Sequence, residues 1–119
     1  MSNVCVYIGD ELASYSFGSD HPFGPRRHDA FVKEFRRQHL HEQVCLCEPQ
    51  SCDEGELSLF HTEEYIEKVK QLSESGDGYL DGGDTPAFVG MFDVASTVVG
   101  TTLAALEQVV TGECKRAFI

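Results

Sequence analysis

Two short apolar runs bracketing a helix-patterned stretch restrict the fold of this chain more than any other feature. Val4 to Ile8 is largely β-branched and ends at Gly9-Asp10, the pattern of a buried strand running into a loop. Gln43 to Glu48 holds Val44, Cys45, Leu46 and Cys47 and is closed by Pro49, which suits a second strand. Between them, Asp29 is placed to cap a helix reaching Leu40. Ala30, Phe31, Phe35 and Leu40 fall near one face of it, and Lys33, Glu34, Arg36 and Arg37 fall elsewhere. Strand, helix and strand in this order predict a right-handed βαβ crossover, and so an α/β class with a parallel sheet flanked by helices.

The remaining segments extend the same scheme. Glu11 to His28 carries Gly18, Pro22, Gly24 and Pro25 around Asp20-His21-Pro22 and predicts a long loop, which Tyr15, Phe17 and Phe23 favour being ordered. Thr62 opens a helix with Glu63 and Glu64 in its first turn and Tyr65, Ile66, Val69 and Leu72 as its apolar stripe, ending near Ser75-Gly76. Asp77 to Gly83 is a loop prolonged by Asp84-Thr85-Pro86. A helix from about Phe92 to Val110 is mostly apolar and is expected to be the most buried, with Gly112 placed to end it. Cys114 to Ile119 looks like the start of another strand. Nothing divides the chain, so it reads as one partial domain.

Composition narrows the function. A formal charge of -11, from 20 acidic and 9 basic residues, repels phosphate backbones and argues against direct nucleic-acid binding. No basic leader or run of about 20 apolar residues is present, so the expectation is a cytoplasmic protein with no membrane span. Five cysteines, an odd number, with Cys5, Cys45 and Cys114 inside apolar runs, suggest reduced core thiols. Cys45 and Cys47 form a C-x-C pair with Cys52 nearby, but no second pair follows as structural zinc sites require, so no cysteine metal site is expected.

Three stretches together resemble the histone deacetylase and acetoin-utilisation family, in order and in spacing. His21-Pro22-Phe23-Gly24-Pro25-Arg26-Arg27 is similar to the family's early loop. Leu59-Phe60-His61-Thr62-Glu63-Glu64-Tyr65-Ile66 is similar to its Phe-His-Ser helix start. Gly83-Asp84-Thr85-Pro86, with Gly90-Met91-Phe92 and a helix containing Gly100, resembles its Asp-x-Pro loop and following helix. The Asp-Thr-Pro variant looks closer to the bacterial deacetylases. The resemblance covers nearly the whole chain and implies an arginase-like fold, of which residues 1–119 are the N-terminal portion, ending before the metal-binding segments.

The resemblance also implies a hydrolase that removes acetyl groups from acetyl-lysine or small acetylated amines. In that family zinc or a similar ion, held by two aspartates and a histidine, activates water, with tandem histidines and a tyrosine assisting. No His-His pair, Asp-x-Asp or Asp-x-His motif or Gly-Gly-Tyr segment occurs here, so no catalytic or metal residue is assigned and zinc belongs to the full-length parent. Two positions are carried over. Asp84 matches the rim aspartate that accepts hydrogen bonds from substrate amides, against the plainer reading of a turn residue before Pro86. Arg27 matches the arginine of the inner cavity, against a surface arginine preceding the helix. No carboxylate or histidine accompanies His21, His28 or His61 at i,i+4 spacing or in the family's pattern, so none is read as a ligand. His21 is expected to shape its loop. The competing reading is a catalytically inactive product that binds or interacts, and the apolar helix from Phe92 leaves room for an oligomer.

Overall fold

The computed structural model describes residues 3–18 and 21–119. Asp20, at the centre of the expected long loop, lies outside them. Three parallel strands, β1 (Val4–Tyr7), β2 (Cys45–Cys47) and β3 (Arg116–Phe118), form a sheet in the order β2-β1-β3. Cys5 pairs with Cys45 on one side and Ala117 on the other, and Val6 pairs with Leu46 and Phe118.

Because side chains alternate across a strand, this register sends Cys5, Tyr7 and Ala117 to one face and Val6 and Phe118 to the other. Helix α1 (Pro25–Arg37) takes the second face, where Phe31 stacks on Phe118 with ring centroids 5.2 Å apart. Helix α4 (Met91–Val110) takes the first, where Ala105 joins Cys5, Tyr7 and Cys114 in the buried core. A one-turn helix α2 (Glu54–Leu57) and helix α3 (Glu63–Ser75) lie between β2 and α4 in the chain. No helix of the described residues is long and apolar enough to cross a membrane.

Several boundaries differ from expectation for identifiable reasons. Helix α1 begins at Pro25, not after Asp29, because proline at the first helical position has its φ preset and needs no N–H partner. It ends at Arg37, and His39 then takes a left-handed φ of 57° that turns the chain before Leu40. Helix α2 was not expected, although Asp53 and Glu56 form a reciprocal capping box that is visible as Asp-x-x-Glu. Helix α3 matches its reading closely, with the Thr62 hydroxyl accepting from Tyr65 N and Gly76 closing it in a left-handed conformation. Cys5 and Cys114 are buried as expected, but Cys45 on the edge strand is exposed.

Helix α4 buries more residues than any other helix among the described residues, as expected, but it does so chiefly through its small ones. Its buried residues are Met91, Ser96, Gly100, Thr101 and Ala105, while Val98, Leu106, Val109 and Val110 are exposed. The small face is buried because the chain segment 50–52 lies against it. A Cβ on Gly100 would overlap the backbone of Gln50, Ser51 and Cys52, so only glycine permits this approach. Thr101, fully buried, accepts from Gln50 N at 2.9 Å and donates to Gln50 O at 3.2 Å, and Cys52 N donates to Ser96 O at 3.2 Å. Thr101→Val keeps the shape but leaves both Gln50 groups unpaired, and is expected to destabilise the protein by about 2 kcal/mol. Thr101→Ser should cost much less, and denaturant unfolding of the two variants checks the difference.

Candidate functional site

In a parallel α/β sheet, ligands gather at the carboxyl ends of the strands where the strand order reverses. Here the chain passes from β1 to β2 on one side and returns to β3 on the other, so the reversal falls between β1 and β3. A cavity of about 650 Å³ opens there. Tyr7 and Ile8 at the end of β1 and Phe118 and Ile119 at the end of β3 form its floor, and Met91, Val94, Ala95 and Val98 of α4 form one wall. The N-terminal half of α4 thus gives its larger side chains to this space, whereas Leu106, Val109 and Val110 lie beyond it and are exposed.

The other wall is the ordered loop ahead of α1. Tyr15 stacks on Phe23 at 4.7 Å, and Phe17 meets Phe88 edge-on at 5.8 Å, which ties this loop to the segment before α4. Arg27, in the first turn of α1, lines the cavity with its guanidinium 4.7 Å above the Phe23 ring, and it has no ion pair among the described residues. A cation held over an aromatic face keeps its hydrogen-bond donors free for an anion or carbonyl.

Asp84 stands on the rim. Its side chain is 93% exposed, and it is the neighbouring Thr85 that joins the cavity lining. Two groups hold its backbone. His21 accepts from Phe23 N through Nδ1 at 3.1 Å, which leaves its other nitrogen, Nε2, to donate to Asp84 O at 3.0 Å. Asp81 Oδ1 accepts from the amides of Gly83, Asp84 and Thr85 at 2.9 to 3.0 Å, and its Oδ2 accepts from the Thr85 hydroxyl at 2.7 Å. An antiparallel bridge between Tyr79 and Pro86 closes the loop. Sequence reading passed over Asp81 as one of three loop aspartates. The available signal was an aspartate followed by two glycines and, four residues on, a threonine whose hydroxyl could reach back.

Two groups of potential metal donors converge among the described residues, Asp10 with His28 and Asp29, and Cys5 with Cys45 and Cys47. In the first, folding brings Asp10 to His28 from beyond β1, a proximity that i,i+4 spacing does not reveal. Both carboxylates there are exposed, and His28 and Asp29 are successive helix residues, which project about 100° apart and chelate poorly. The group matches in composition the two aspartates and one histidine that the resemblance implies, but its geometry is that of a poor chelator, and the resemblance places the family's own ligands further along the chain.

A family model described as the histone deacetylase domain matches residues 21–119. The acetoin utilization protein AcuC of Bacillus subtilis is 34% identical over 122 residues, covering 97% of this chain and 31% of that protein. Histone deacetylase 8 of Xenopus tropicalis is 30% identical over 100 residues, covering 78% of this chain and 27% of that protein. The crystal structure of the HDA15 HD domain superimposes with a TM-score of 0.84 at 19% identity, over 98% of this chain and 34% of that one, and so shares its fold. The chain thus spans about a third of the length of these relatives.

The Asp81 carboxyl is held well below its ordinary range, first by the Thr85 hydroxyl and then by the amides it accepts from. A lowered carboxyl stabilises the fold fully above its unfolded value, about pH 4, and loses that contribution as pH falls through the folded value. Protection of the Gly83, Asp84 and Thr85 amides from hydrogen exchange should therefore be retained from neutral pH to about pH 5 and collapse only in strong acid. In Asp81→Ala it should be absent throughout.

Proposed function

The chain belongs to the histone deacetylase family, and on that basis we propose that residues 1–119 form the N-terminal part of a metal-dependent deacetylase that hydrolyses acetyl groups from acetyl-lysine or small acetylated amines. The observation that carries this reading is the presentation of Asp84: a solvent-facing carboxylate whose backbone is fixed by Asp81 and His21 at the rim of an aromatic-walled cavity. A fixed carboxylate accepts substrate amide N–H groups without first ordering its own loop, which is where binding affinity is otherwise lost. The apolar wall accommodates an uncharged acetylated side chain and disfavours the ammonium of the deacetylated product. Arg27, exposed in the cavity lining, supplies positive charge there, suited to holding the acetate released by hydrolysis.

Deacetylases of this family are generally zinc-dependent, and the metal supplies a polarised carbonyl and an activated water. The part proposed for this segment is to bind, orient and exclude water. In the full protein, Asp84→Asn keeps the size but removes the charge, and should lower kcat/KM toward an acetyl-lysine peptide by roughly ten- to a hundred-fold, chiefly through KM. An unchanged kcat/KM would remove Asp84 from the substrate site. Arg27→Met keeps most of the stem and removes the guanidinium, so acetate should inhibit that variant less than the parent.

A further inference from the structure

Away from the cavity, the sheet gathers sulfur. Cys45 and Cys47 are two apart on β2 and so point to one face, and the parallel register places Cys5 of β1 directly beside Cys45 on that same face. One sulfur from each of Cys5, Cys45 and Cys47 lies within 4.8 Å of the other two. Cys52, the third cysteine of the local sequence pattern, has no part in the group, and the sheet supplies Cys5 instead. We propose that Cys5, Cys45 and Cys47 form a three-thiolate site for a soft monovalent d10 cation of the Cu(I) class.

Metal–sulfur bonds of about 2.3 Å need sulfurs about 4 Å apart in a trigonal centre, so small side-chain adjustments close the triangle. Thiolates select soft ions, and three donors suit Cu(I), whereas zinc takes four. The fourth nearby thiol, Cys114, lies with Cys5 in the buried core and is not among the converging donors. An entry path exists because Cys45 is exposed and Cys47 half-buried on the edge strand. The thiols on their own resist ionisation: the hydrogen bond with Cys114, burial and the neighbouring sulfurs push the Cys5 thiol up to about 12, and burial and Cys45 raise Cys47. Repulsion among thiolates is what a central cation reverses. Binding releases up to three thiol protons to solvent and leaves a centre of net charge minus two, with no change of oxidation state.

The natural protein, titrated anaerobically with Cu(I) against a competing chromogenic chelator, should take up one ion per chain. X-ray absorption of the loaded protein should show three sulfur neighbours. Cys45→Ser and Cys47→Ser should each weaken uptake by more than about 100-fold, while Cys52→Ser should leave it unchanged. Failure to take up the ion, a shell of two or four sulfurs, equal uptake by Cys45→Ser, or zinc binding that requires Cys114 would each overturn the assignment.

Discussion

Strand β1 accepts a parallel neighbour on each edge, and the placement of everything else follows from that. The chain leaves it toward β2 and comes back to β3 on the far side, so the two covering helices must lie on opposite faces. Their first turns then diverge above the gap between β1 and β3. The cavity is thus a product of winding direction, present before any side chain is chosen to line it.

Helix α4 reconciles two demands with one amphipathic division of an unusual kind. One face is made of small and hydroxylic residues, Ser96, Gly100 and Thr101, against which the backbone of residues 50–52 can lie with its polar groups paired. The adjoining face carries the larger Val94, Val98 and Val99 toward the cavity. Here size, more than polarity, separates the buried face from the site-facing one.

This is also why sequence reading succeeded in one place and failed in another. The strands, helix α3 and the parallel class were legible because local periodicity, capping residues and proline positions act within a few residues of one another. Which face of α4 is buried was not legible, because hydropathy ranks Val109 and Leu106 above Ser96 and Thr101, and only the approach of a distant backbone segment reverses that order. Asp84 and Arg27 were singled out as candidates by motif, while the hydrogen bonds by which Asp81 and His21 hold the Asp84 backbone exist only once the loops are folded. The partnership of Cys5 with Cys45 likewise required the strand register, which spacing along the chain does not reveal.

The rim loop owes its shape to one carboxylate working through main-chain amides, and this bears on how such a surface can diversify. Asp81 contacts Gly83, Asp84 and Thr85 but makes no demand on the side chain at position 82, where an added Cβ would meet nothing within 4 Å. Variation there can alter what the rim touches without displacing Asp84, so the loop separates the geometry that must be kept from the surface that is free to drift.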